Sequence, residues 1–304
     1  MSYGFHTISF AEINNQLKAA INWLKIFIPN VSPTRFGKYQ KDIEHLISVL
    51  NKNQVHLLNK PVSSSSIMNS LYEADEIIQI YLGLRKYGQI DYLNKKLPIF
   101  IKGPLESKSE AKSVSAHQAR DISFELFIAS LFSFTSFIVD FSTESDLLIS
   151  NKTYKVFIEC KRPASNTSIR SNIKVASSQL KKRFNLYADG KNIYGLIFIS
   201  IENVINPNHS LIHTSDEHEL TRLLNSNMEA FITTNRQYWD KIEDKRIIGV
   251  IAFFKSFGIY ENKRIPLYIR YAAANNIINR TENEINILKE IAIPINKQLA
   301  TSSP

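Results

Sequence analysis

Residues 193–201 constrain this chain more than any other stretch. They read Ile-Tyr-Gly-Leu-Ile-Phe-Ile-Ser-Ile, an almost unbroken apolar run rich in branched side chains. The run is too short for a buried helix and lacks the polar alternation of a half-exposed strand. It therefore predicts a strand covered on both faces, at the centre of a sheet with helices packed on it. The sequence around it supplies those partners. A helix fits 114–134, followed by three short strands at 136–141, 146–150 and 154–161. A helix then fits 168–187, where Ile169, Ile173, Ala176, Leu180, Phe184 and Tyr187 make one apolar stripe. The order is α-β-β-β-α-β. Beyond it the pattern predicts a helix over 217–242, strands at 246–254 and 266–271, and a last helix near 282–291.

The first hundred residues differ in kind. Apolar side chains at Ile13, Leu17, Ala20, Ile21 and Leu24 have the spacing of one helix face, and further helices fit 38–58 and 67–87. The serine run at 63–66 reads as a short loop before the third helix, and Leu97-Pro98 and Gly103-Pro104 punctuate the stretch after it. The expected organisation is a helical domain over 1–98, a linker over 99–112, and a mixed α/β domain over 113–304 with its core at 113–201.

Several classes of protein are excluded early. One cysteine among 304 residues leaves no disulfide framework and no cysteine-based zinc finger. Neither phosphate-cradling glycine motif, G-x-x-x-x-G-K-[ST] or G-x-G-x-x-G, occurs. The most apolar stretch, 124–139, is about 16 residues long and contains Glu125, short of the roughly 20 needed to span a bilayer. The opening Met-Ser-Tyr-Gly-Phe-His lacks the basic-then-apolar layout of a signal peptide. The expectation is a soluble, cytoplasmic protein.

The formal charge of +9 is concentrated. Residues 151–191 hold ten basic and two acidic side chains, whereas 192–304 hold twelve of each. A local field of this kind attracts phosphates and steers polyanions to one face. Arg162, Arg170, Lys174, Lys181, Lys182 and Arg183 lead into or lie on the 168–187 helix, where they are placed to grip a nucleic-acid backbone without reading its sequence.

The same window carries the chemistry. In the strand Tyr-Lys-Val-Phe-Ile-Glu-Cys-Lys, alternation sends Glu159 and Lys161 to one face and Ile158 and Cys160 to the other. A tight turn near Asn151–Lys152 pairs this strand with the one before it and brings Asp146 near the level of Glu159. Two converging carboxylates suit a hard cation such as Mg²⁺. The neighbouring Lys161 can orient a water or neutralise charge developing on phosphorus. Glu125 lies on the packing face of the 114–134 helix with Gln118, Ile122, Ala129 and Phe132. A lone buried carboxylate is costly, so Glu125 needs a cation or a metal.

Asp146, twelve intervening residues, Glu159-x-Lys161, all within an α-β-β-β-α-β order and followed by a basic helix, resembles the PD-(D/E)XK, or restriction-endonuclease-like, nuclease superfamily over roughly 113–201. The residue before the aspartate is Ser145 rather than proline, which leaves Glu144 as a competing ligand. Asp146 is preferred because it runs directly into Leu147-Leu148-Ile149, as the family pattern does. The resemblance implies a nuclease that hydrolyses phosphodiester bonds, of DNA rather than RNA. Its metal would be Mg²⁺, with Mn²⁺ able to substitute, held by Asp146 and Glu159 with Glu125 at the edge. Lys161 would assist the attacking water, and Gln179 would touch that water or the backbone. It also implies a homodimer and, by analogy of fold, a bacterial restriction or anti-phage effector whose 1–98 region engages a regulatory protein. The alternatives are a catalytically inactive nucleic-acid-binding relative and an interaction protein driven by the helical domain. His209, His213 and His218 fall in what reads as an exposed loop, and Cys160 reads as a small buried apolar residue.

Overall fold

A seven-stranded mixed sheet forms around the apolar run. The computed structural model describes residues 9–52, 61–105, 114–141, 146–187, 192–207, 212–260 and 265–301. By its internal contacts the chain divides within one helix into two units, Thr7–Ser130 and Leu131–Ser302. The sequence set its boundary earlier, at 99–112.

The first unit is helical: α1 (Phe10–Leu24), α2 (Arg35–Asn51), α3 (Pro61–Leu84), α4 (Asp91–Ile101) and most of α5 (Val114–Phe132). Ser9 caps α1 by accepting from the Glu12 amide. Leu17, Ile21, Leu24, Tyr39, Ile43, Leu46, Ile77 and Leu97 are buried in its interior. A Cβ at Gly83 would lie 2.7 Å from the Cα of Ser130, so α3 and α5 approach as closely as backbones allow.

Two expectations fail in this unit. The serine run is not a loop, because α3 already starts at Pro61, and proline suits a first helical position where no amide partner is needed. Nor does Pro98 end a segment, since it lies inside α4. An internal proline costs roughly 3 kcal/mol, and burying Leu93, Leu97, Phe100 and Ile101 offsets it. The second expected helix ends earlier, with residues 53–58 outside the described ones.

The second unit holds β1 (Ile138–Asp140), β2 (Leu147–Ser150), β3 (Lys155–Lys161), β4 (Ile193–Ser200), β5 (Ile212–Thr214), β6 (Ile247–Tyr260) and β7 (Ile265–Asn276). The strands β1, β2 and β3 form an antiparallel meander, and β4 then joins parallel to β3. That crossover is made by α6 (Ile169–Leu186). The Asn151 side chain makes the turn between β2 and β3, its Oδ1 accepting from the amides of Thr153 and Tyr154 at 2.8 and 2.9 Å. Next, β6 runs parallel to β4 and, from Gly249 onward, pairs antiparallel with the whole of β7. The expected strands at 246–254 and 266–271 are therefore both longer than their sequence pattern indicates.

Three elements were not foreseen: α4 in the helical unit, α7 (Glu202–Ile205), and β5, which lies parallel to the far end of β6. The remaining helices are α8 (Glu217–Trp239) and α9 (Glu282–Thr301), the latter continuing through Pro294. Phe157, Ile197, Ile199, Val250 and Ala252 on one face of the sheet share one buried core with Ile173, Ala176, Leu180 and Phe184 of α6. At Gly195 a Cβ would lie 2.7 Å from the Phe184 ring, so the glycine lets α6 settle onto β4. The architecture is mixed α/β. Among the described residues, no helix is long and apolar enough to cross a membrane.

Candidate active site

Alternation along β3 sends Phe157, Glu159 and Lys161 toward the α6 side of the sheet, while Ile158 and Cys160 face away. Leu147 opposes Ile158 and Leu148 opposes Phe157. Continuing that register by one residue sets Asp146 level with Glu159. The carboxylate of Asp146 is fixed there by the main chain: its Oδ2 accepts from the Cys160 amide at 2.7 Å. Lys161 Nζ donates to Glu159 Oε2 at 3.0 Å and to the Cys160 carbonyl oxygen at 3.1 Å, and lies 3.8 Å from Asp146 Oδ2. The three side chains singled out from the sequence therefore meet at one point, and three oxygens surround one ammonium.

Burial sets the electrostatics. Glu159 is only 1% exposed, whereas the side chains of Lys161 and Asp146 retain 14% and 19%. Its carboxyl is pushed up to about 7, first by burial and then by the nearby charge of Asp146, with Lys161 and Arg183 pulling the other way. For Lys161, burial works against the charged form. The two carboxylates outweigh it and hold the ammonium above its ordinary range.

The basic residues do not share one face. Helical spacing sets Gln179, Lys182 and Arg183 on one flank of α6 and Arg170, Lys174 and Lys181 on the other. Arg183 acts electrostatically on Glu159, while Lys181 acts on Asp244. Arg170, Lys174, Lys181 and Lys182 are exposed; Arg183 and Arg162 are half-buried. The Gln179 side-chain oxygen is buried and accepts no hydrogen bond among the described residues.

Glu125 belongs to the helical unit. There its Oε2 accepts from Lys96 Nζ of α4 at 2.5 Å, so an ion pair accounts for the burial of this carboxylate. Glu144 lies outside the described residues, as does His209. His213 is on β5 and His218 is exposed on α8, rather than both being in a loop. Cys160 is buried, as its position in the strand implies.

What the sequence did not reveal is the role of the Cys160 backbone, which holds Asp146 with its amide and Lys161 with its carbonyl. No side-chain pattern encodes that contact. The only cue was the register implied by the Asn151 turn.

Among the described residues, no three His, Cys, Asp or Glu side chains converge as a metal-binding group. Asp146 and Glu159 alone still fit Mg²⁺ or Mn²⁺, which commonly take one or two protein carboxylates and complete their shell with water and substrate phosphate. Searches by sequence found no family model matching the chain and no curated protein matching it.

Proposed function

We propose that this chain is a metal-dependent endonuclease that hydrolyses phosphodiester bonds of DNA, built on a restriction-endonuclease-like αβββαβ core. The observation that carries the reading is the meeting of Asp146, Glu159 and Lys161 on adjacent strands, with Asp146 and Glu159 both directed at the ammonium. The strand order supports it: an antiparallel meander, then a helix, then a parallel strand.

Asp146 and Glu159 would hold the metal, which when bound activates the attacking water and neutralises phosphate charge. Glu125 is left out of the ligand set because Lys96 already neutralises it. Lys161 donates to the phosphate oxygens that gain charge during the reaction. The buried, unsatisfied oxygen of Gln179 is an acceptor for a proton of the attacking water. Lys182 and Arg183, on the flank of α6 shared with Gln179, grip phosphates next to the cleaved bond, while Arg170, Lys174 and Lys181 add to the attracting field. A cytoplasmic restriction or anti-phage role, Mg²⁺ as the resident metal and a homodimeric assembly belong to the same proposal.

The test is incubation of the full chain with plasmid DNA, linear DNA and RNA in Mg²⁺, Mn²⁺ or EDTA. DNA cleavage that needs the metal, and that disappears in Asp146→Ala, Glu159→Ala and Lys161→Ala proteins with intact circular dichroism, is the expected result. Salt-sensitive DNA binding without cleavage in any metal would make the chain a silent binding module. Cleavage of RNA alone would change the substrate.

A further inference from the structure

We infer that Lys161 doubles as a built-in counter-cation, occupying the point a metal ion needs, so that the metal must displace its ammonium before the site can work. The inference rests on the nuclease reading and adds to it how the site is kept at rest. Its basis is the geometry at Nζ: Glu159 Oε2 at 3.0 Å, the Cys160 carbonyl oxygen at 3.1 Å and Asp146 Oδ2 at 3.8 Å. A divalent ion bound by these same oxygens would take them at roughly 2.0–2.5 Å each, competing with the ammonium for the lone pairs it now engages. Two cations sharing these oxygens repel strongly in a site where Glu159 is almost fully buried.

The lysine has a way out. Its side chain keeps 14% exposure, and its four-carbon stem can swing the ammonium away while the strand stays in place. The carboxylates cannot follow it, since the Cys160 amide holds Asp146 and β3 is paired on both sides. Displacement therefore does two things in one movement: it opens the oxygens to the metal and frees an ammonium to meet the substrate's phosphate.

The test is calorimetric titration of the full-length, metal-free chain with MnCl₂ alone at pH 8, with no nucleic acid. Lys161→Met is expected to bind Mn²⁺ at least about tenfold more tightly than the parent protein, the factor that corresponds to about 1.4 kcal/mol. Arg183→Met removes a positive charge that acts electrostatically on Glu159; it is expected to tighten binding less than threefold. If Lys161→Met does not fold, Lys161→Gln keeps a hydrogen-bonding group without the charge and should show the same gain. Equal Mn²⁺ affinity in the parent protein and Lys161→Met would overturn the inference while leaving the metal site standing. So would an equal gain from Arg183→Met, which would reduce the effect to general electrostatics. Absence of Mn²⁺ binding in every variant would overturn both this inference and the nuclease reading.

Discussion

Two buried ionic clusters, one in each unit, answer the same physical problem in opposite ways. In the helical unit, Arg120 Nη1 grips both oxygens of Glu73 at 2.7 and 2.5 Å, and Arg35 adds a longer contact at 3.5 Å. Arg35 also donates to the Phe100 carbonyl at 2.9 Å and lies over the rings of Phe36 and Phe100. Ser123 donates to Glu76 beside them. Both cations there are arginines, and arginine stays protonated at any pH a cell meets. In the sheet unit the cation is a lysine on a flexible stem, facing a glutamate pushed up to about 7. One cluster is built to stay as it is. The other can change its charge and its partners at little cost, as the proposed catalytic role requires.

Exchanging the cations is the strongest way to break this contrast. Lys161→Arg keeps the charge but brings a rigid, planar fork to a crowded point, and cleavage should fall by at least about a hundredfold. The melting temperature should change little, and a paired kcat/KM and thermal-melt measurement checks both. Near-normal activity would mean that the site needs only a positive charge.

The next effect concerns folding alone. Glu73→Ala leaves Arg35 and Arg120 buried without their carboxylate and should destabilise the chain by about 3 kcal/mol in urea unfolding. Metal-dependent cleavage by the remaining folded protein should persist.

A smaller effect separates the clusters by pH. Glu159 binds its proton more tightly folded than unfolded, so its contribution to stability is full below about 4.5 and is lost as pH rises through about 7. Measured without metal, stability should fall by about 2 kcal/mol between pH 5 and pH 8, and Glu159→Gln should lose that slope. Glu73→Ala should keep it.

A weaker effect again is expected at Lys182, where alanine should weaken DNA binding modestly and flatten the salt dependence by about one counterion. The same change at Lys181, on the opposite flank, should alter the slope less.

Much of this was legible in the residue order. The apolar run became β4, alternation along β3 put Glu159 and Lys161 on one face, and the Asn151 turn set the register that brings in Asp146. These features are local, and local rules capture them. What escaped depends on distant partners. Pro98 is tolerated because of what α4 buries, and β5 exists because β6 extends far enough to pair with it. The basic cluster looked like one track because sequence distance hides the turn of a helix between Lys181 and Arg183. The partner of Glu125 is Lys96, 29 positions earlier, a pairing that no local pattern indicates.

The hold of the Cys160 amide on Asp146 has a consequence for how such a site can vary. The thiol takes no part in that grip, so position 160 is free to drift among small apolar residues without moving the acid. Only proline, which carries no amide hydrogen, would cut the tether, which makes Cys160→Pro a far graver change than the loss of the chain's single sulfhydryl.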